Sequence, residues 1–269
     1  MTTKLGKYGL PLEVKFCRKC VISNQRPIST VEFKNRGSKK ETIAFNEDGI
    51  CDACRFTEYK DAKINWAKRE LELVKLCNKY RSKNGYYDCI VPGSGGKDSS
   101  FSAHILKYKY GMNPLTVTWA PHLYTDVGWQ NFTNWSHKGG LDNILFTPNG
   151  LAHRLLTKLA FENLLHPFQP FIIGQRNIAP KFALLYKIPL IFYGENQAED
   201  GNRIEDNDSP TMKEEFFAQS SSLDKLFLGG VNAKELIKSK KISVNVLNRY
   251  LPASYKVFNE CVISHPISS

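Results

Sequence analysis

The segment that most constrains this chain is Pro92-Gly93-Ser94-Gly95-Gly96-Lys97-Asp98-Ser99-Ser100, set between an apolar run and a helical pattern. Tyr87 to Val91 reads as a short buried strand, and Ser99 to Tyr110 as the helix that follows it. Glycines at such a junction let the backbone approach a phosphate closely, and the N–H groups at the helix start point at it. Ser94 and Ser99 add hydroxyl donors, and Lys97 adds a positive charge for a polyphosphate. Asp98 cannot favour an anion directly, so its expected task is to help hold Mg²⁺. The segment is not a Walker motif: Lys97 is followed by Asp98 rather than Ser or Thr, and Val91 stands where the first glycine belongs.

The rest of the chain alternates in the same sense. Leu115–Trp119, Asn143–Phe146 and Pro189–Tyr193 read as strands, and Leu151–Leu165 and Ile178–Lys187 as helices. Repeated strand–helix units predict an α/β fold, a parallel sheet covered on both faces with ligands at the carboxyl ends of its strands. Ile204 to Ser222 is polar and acidic and reads as a loop, and Leu223 to Leu251 reads as helical. With 42% hydrophobic and 23% charged residues, wholesale disorder is excluded. No apolar run approaches the ~18 residues of a membrane span. Met1 to Lys15 has no apolar signal core, so a cytoplasmic location and no membrane partner are expected.

Four of the 7 cysteines pair off: Cys17-Arg-Lys-Cys20 and Cys51-Asp-Ala-Cys54 are two C-x-x-C units separated by 30 residues. Two such units complete a tetrahedral S₄ site, with zinc the expected ion and iron second. Such a set leaves no open coordination position, so the metal is read as structural. Thr30–Phe33 and Thr42–Phe45 alternate like strands of a small ribbon, and Asp48-Gly49 is a turn signal. Ile64, Ala67, Leu71, Val74 and Cys77 recur at three- and four-residue steps, predicting a helix that ends at Asn84-Gly85. The expected organisation is a zinc-binding module over 1–57, a linking helix over 58–84 and the α/β domain over 85–269. The net charge of +11 is uneven: residues 1–84 carry +9 of it, a balance that favours an acidic partner surface, phosphorylated ligands or nucleic acid.

Ser94-Gly-Gly-Lys-Asp-Ser99 resembles the pyrophosphate-binding loop of the ATP pyrophosphatase (PP-loop) superfamily, whose domain is HUP-like. The resemblance implies ATP as cofactor, cleaved between its α- and β-phosphates. A carbonyl or amide oxygen is adenylated, and a nitrogen or sulfur nucleophile displaces AMP. Gly194-Glu195-Asn196-Gln-Ala-Glu199-Asp200 is similar to the superfamily's second site, a Gly-x-Asn with nearby acids. It implies Gly194, Glu195 and Asn196 at the nucleotide and Glu199 and Asp200 beside Asp98 at Mg²⁺. Arg176-Asn177, just before the helix predicted from Ile178, falls where related enzymes approach the nucleotide.

A narrower family also matches. The two C-x-x-C units, the loop, Trp119-Ala-Pro-His122, Phe146-Thr-Pro-Asn-Gly150, His166-Pro-Phe-Gln-Pro170 and Tyr193-Gly-Glu-Asn196 resemble the N-acetyl sugar amidotransferases. These make acetamidino sugars for bacterial O-antigen lipopolysaccharide and flagellin glycans. The resemblance runs from about Phe16 to the tail. It implies a ligase-type enzyme acting on a nucleotide-activated N-acetyl sugar, with Lys97 and Asp98 catalytic. Members of that family continue well past the point where this chain stops, which implies truncation at Ser269.

The chain shows no glutaminase nucleophile: residue 2 is Thr, and Cys261 stands in Glu260-Cys-Val-Ile with no glycine beside it. Nitrogen is therefore expected from a separate glutaminase through an ammonia-channel subunit. His122 is a weaker candidate, for adenine or the sugar, while His153 and His166 are read as structural. Trp129, Phe132 and Trp135 recur at three-residue spacing and suit either core packing or a sugar platform. Two other functions stay open. ATP-dependent tRNA thiolation would use the basic first third, but it needs reactive cysteines near the loop, where only Cys89 is close and sits in an apolar strand. Nucleic acid is accordingly not the expected partner. The other is a remnant that binds nucleotide without catalysis.

Overall fold

The computed structural model describes residues 5–6, 10–27, 42–194, 211, 223–253 and 262–264. In chain order these form α1 (Asp52–Lys63), α2 (Trp66–Tyr80), β1 (Cys89–Pro92) and α3 (Lys97–His104), which continues as a π-helical turn, Ile105–Lys109. Then come β2 (Pro114–Trp119), α4 (Asp126–His137), β3 (Asp142–Phe146), α5 (Gly150–Leu164), α6 (Gln169–Tyr186) and β4 (Leu190–Phe192). A hairpin of β5 (Phe227–Leu228) and β6 (Val231–Asn232) leads into α7 (Ala233–Lys238), α8 (Val244–Leu247) and β7 (Val262–Ser264). No helix among the described residues is long and apolar enough to cross a membrane.

Five strands make one parallel sheet in the order β3-β2-β1-β4-β7. The strand order reverses at β1, so the crevice between β1 and β4 is the switch point where open parallel sheets bind ligands. Every residue of β1, β2 and β4 is buried, which explains the apolar runs of β1 and β4 and leaves two threonines of β2 inside; β3 is partly exposed. Alternation along β1 sends Cys89 and Val91 to one face and Ile90 to the other. On the first face they meet Leu73 and Cys77 of α2, Ala103 of α3 and Phe132 and Trp135 of α4. On the second, Leu156 of α5, Ile173 and Ala183 of α6, and Leu228, Leu236, Leu247 and Tyr250 complete the core. The buried hydroxyls of Thr116 and Thr118 are satisfied within the sheet: Asn143 Nδ2 donates to both, at 2.8 and 3.0 Å.

Three expectations are corrected. The helix predicted from Ile64 to Asn84 is α2 alone, and its packed face is Leu73, Leu76, Cys77 and Tyr80 rather than Leu71, which is 63% exposed. Leu223–Leu251 is not one helix: Gly229 and Gly230, at φ +60° and +72°, fold it into the β5–β6 hairpin before two short helices. The helix predicted from Ile178 begins at Gln169 and spans 18 residues. Of the ribbon segments, Thr42–Phe45 contributes bridges to Pro27 and Cys51, while Thr30–Phe33 lies outside the described residues. The loop predicted over Ile204–Ser222 also lies outside them, apart from Thr211.

The length of α6 is explained by how its prolines are accommodated. Pro170 sits in the first turn, where no N–H is needed. Pro180 is interior and has no N–H to give the carbonyl of Arg176, four residues back. The hydroxyl of Tyr193, just after β4, donates to that carbonyl at 3.1 Å. A side chain from the sheet thus repairs the helix and ties α6 to the end of β4. Tyr193→Phe is expected to lower stability by about 1 kcal/mol, the usual net worth of one hydrogen bond. A lower urea midpoint at unchanged slope would show it; an unchanged midpoint would refute the repair.

Candidate nucleotide site and cysteine cluster

The loop after β1 is held by the neighbouring strand and by two helices. Gly93 N–H donates to Val117 O at 3.0 Å, carrying the β1–β2 ladder one residue past the strand. Gly95 is at φ +82°, and a Cβ there would lie 2.8 Å from Phe132 Cα of α4. Gly96 is the N-cap of α3, with no side chain capping the helix, and open space lies where its Cβ would be. The N–H groups of the first helical turn have no intrahelical acceptors and carry the positive end of the helix dipole. Ser99 is 6% exposed, and its hydroxyl donates to Gly96 O at 3.2 Å, fixing the turn from below. Pro92 is buried, Ser100 half-buried, and Ser94, Lys97 and Asp98 are exposed. Lys97 Nζ lies 2.6 Å from Asp98 Oδ1, so ammonium and carboxylate stand together at the mouth of the loop.

The segment after β4 reaches this loop through one residue. A Cβ on Gly194 would sit 2.8 Å from both Asp98 C and Ser99 N, so its backbone lies directly against the first turn of α3. Arg176 is half-buried on α6, its carbonyl held by Tyr193, the residue before Gly194. The structure therefore brings Pro92–Ser100, Gly194 and the Arg176 backbone to one end of the sheet. Glu195, Asn196, Glu199 and Asp200 lie outside the described residues.

His122 packs against α5 and α6, its ring near Phe168 and Phe171. It is exposed, shares a hydrogen bond with Thr157 Oγ1 at 3.2 Å, and its ring is 4.7 Å from that of His153. Burial lowers the His122 pKa. His153 is held down to about 4, first by burial and then by His122. Phe132 and Trp135 are core residues of α4, and Trp129 is 47% exposed. Buried polar atoms without a hydrogen-bond partner include Trp119 Nε1, Tyr124 Oη, Trp135 Nε1, His153 Nε2 and Asn177 Oδ1. Each such group costs about 1–3 kcal/mol. Trp119 ends β2, Tyr124 follows it, and Trp135 lies beside Gly93, so these costs gather at the ligand end of the sheet. The sequence offers Trp119 and Asn177 only as members of motifs, beside His122 and Arg176; nothing in it marks their polar atoms as buried without partners.

The four paired cysteines converge. Their sulfurs all lie within 4.8 Å of one another, with Cys17–Cys54 at 3.9 Å and Cys20–Cys51 at 3.6 Å. A tetrahedron with Zn–S of ~2.3 Å has edges of about 3.8 Å, so the set fits that ion. Cys17 N–H donates to Ile22 O at 2.8 Å, closing the first turn, while Cys51 caps α1 and Cys54 sits in its first turn. Burial raises the Cys17 thiol, but N–H groups of Cys51, Lys19 and Cys20 outweigh it and bring it down to about 6. Burial raises the Cys51 and Cys54 thiols. Among the described residues the buried members of the cluster are Cys17, Ile43 and Cys51, so the sulfurs themselves make up most of its centre.

No family model matches the sequence. Over 79 residues the chain is 33% identical to an uncharacterized protein, MJ1599, of Methanocaldococcus jannaschii, a stretch that is 29% of this chain and 27% of that protein. Among solved structures, an NH3-dependent NAD synthetase from Campylobacter jejuni, in complex with the nitrate ion, aligns with a TM-score of 0.36. That alignment has 14% identity and covers 50% of this chain and 58% of that one. The chain thus matches about a quarter of its curated relative and under two thirds of the solved structure.

Two outcomes are expected. Cys51→Ser should release the metal and lower the melting temperature; metal analysis and thermal unfolding read both, and a metal-free wild type of equal stability would refute a structural ion. Gly194→Ala should push the two segments apart and lower the melting temperature; an unchanged melting temperature would show that the contact yields freely.

Proposed function

We propose that this chain is an ATP-dependent, AMP-forming ligase of the PP-loop type. It adenylates the acetamido oxygen of a nucleotide-activated N-acetyl sugar and replaces it with ammonia. The supporting observation is the contact of Gly194 with Asp98 and Ser99. It joins the loop after β1 to the segment after β4 across the switch point, where a nucleotide's phosphates can be gripped from both sides.

An acetamido carbon is a poor electrophile because its oxygen leaves badly. The acetamido oxygen attacks the α-phosphorus of ATP, the α–β bond breaks, and pyrophosphate departs with its electron pair. The product is an O-adenylated imidate. Ammonia adds to the imidate carbon, loses a proton, and expels AMP to leave the amidine. The N–H groups of the first turn of α3 stabilise charge developing on the phosphates, and Lys97 neutralises the departing pyrophosphate. Mg²⁺, when bound, would offset further phosphate charge, with Asp98 as one carboxylate ligand. Glu199 and Asp200 are proposed beside it, and Glu195 and Asn196 at the nucleotide. Ammonia comes from a partner glutaminase, and the basic first third is its proposed docking face.

Thiolation is disfavoured by Cys89. It is 0% exposed in β1, and burial raises its thiol well above the ordinary value, so it is no sulfur carrier.

Incubation with ATP, ammonium and a panel of nucleotide-activated N-acetyl sugars should yield AMP, pyrophosphate and the acetamidino product, identified by mass. Asp98→Ala should abolish AMP formation in a folded protein, and Ser94→Ala should cost less because neighbouring N–H groups remain. Formation of ADP and phosphate would overturn the reading. Glutamine alone should support no turnover by the isolated chain, and activity with ammonium should rise with pH as free ammonia increases.

A further inference from the structure

On the α6 side of the sheet, three unsatisfied polar groups surround one residue, Tyr250. Trp119, the last residue of β2, is 2% exposed, and its indole N–H has no acceptor. Asn177 is 0% exposed; its Nδ2 donates to Tyr250 O at 2.8 Å, which fixes the amide and leaves Oδ1 an unmatched acceptor. His153 is 8% exposed; its Nδ1 meets the Tyr250 hydroxyl at 2.9 Å, and its Nε2 has no partner. The Tyr250 ring lies 5.3 Å from that of Trp119 and 5.9 Å from that of His153.

The donor and the acceptor both lie against α6 and Tyr250. A Cβ on Gly174 would come 2.3 Å from Trp119 Cε2, the ring atom bonded to Nε1, so the indole lies directly on α6. Asn177 is three residues further along α6, on the same face as Gly174. A buried donor and a buried acceptor on either side of one residue match a neutral group that carries both functions. It does not match an anion, which would face Asn177 Oδ1 and find no compensating charge on a neutral imidazole. Exposed His122, its ring 4.7 Å from that of His153, marks the surface end of the set.

We propose that Trp119, Asn177 and His153 form a recognition site for a neutral carboxamide, the acetamido group of the acceptor sugar. Trp119 Nε1–H donates to its carbonyl oxygen and Asn177 Oδ1 accepts from its N–H, while His153 Nε2 meets a neighbouring hydroxyl. Holding the N–H against an acceptor pushes electron density onto the carbonyl oxygen, the atom that must attack phosphorus. The site deepens the proposed reaction and rests on it.

The test needs no turnover. The chain has 4 tryptophans, so ¹⁵N labelling gives a sparse set of indole signals, assigned by Trp119→Phe. If that variant does not fold, Trp66→Phe, Trp129→Phe and Trp135→Phe assign the signal by elimination. N-methylacetamide should shift the Trp119 indole signal, acetate should not, and Asn177→Leu should weaken the amide's binding about tenfold. No shift with the amide, an equal shift with acetate, or the same shift with ATP alone, which would mark an adenine edge, each overturns the proposal. AMP formation without an indole shift fails this site alone. An indole shift without AMP formation from any sugar fails the proposed reaction alone.

Discussion

A glycine backbone pressed against the start of a helix holds the working end of this molecule together. Gly194 occupies the space a side chain would need beside Asp98 and Ser99. The contact is possible because β1 and β4 are adjacent parallel strands, so the chain leaves both at the same edge. Everything assigned to nucleotide chemistry depends on that adjacency. The loop supplies backbone donors at the head of α3, and the β4 side closes over them. Tyr193 anchors the closure by donating to α6. The helix that carries Asn177 and the strand end that carries Gly194 are therefore one mechanical unit.

The molecule divides its stabilisation between two kinds of interaction. The sheet is covered on both faces by apolar clusters, and buried Thr116 and Thr118 are satisfied by Asn143 inside it. Among the described residues the cysteine cluster has few buried apolar side chains, and its four sulfurs converge within 4.8 Å. The first kind tolerates volume-conserving exchanges. The second does not, because a tetrahedral ion needs each ligand in place.

Much of this was legible in the sequence, for identifiable reasons. Glycine, serine and lysine after an apolar run announce a tight strand-to-helix turn, and β1, the turn and α3 follow in that order. The paired C-x-x-C units announce a four-sulfur cluster through their spacing. What escaped depends on partners distant in sequence. Pro180 reads as a helix breaker until the Tyr193 hydroxyl is seen opposite Arg176. Leu71 fits the helical period as well as Leu73 does, and only packing on the sheet decides between them. Gly229-Gly230 was a readable turn signal, overridden by the apolar residues around it. Trp119 and Asn177 stand in motifs the sequence offers, but that their polar atoms are buried without partners shows only in the fold.

The cysteine cluster also bears on how this chain can vary. Pro27 and Thr42 pair in an antiparallel bridge, and the two C-x-x-C units on either side are drawn to a common point. The two ends of the stretch are thereby pinned by that bridge and by the sulfurs. For a segment closed in this way, doubling its length costs only about 0.6 kcal/mol in closure entropy. Added length between the pinned ends therefore weighs little against the geometry that draws the four sulfurs together.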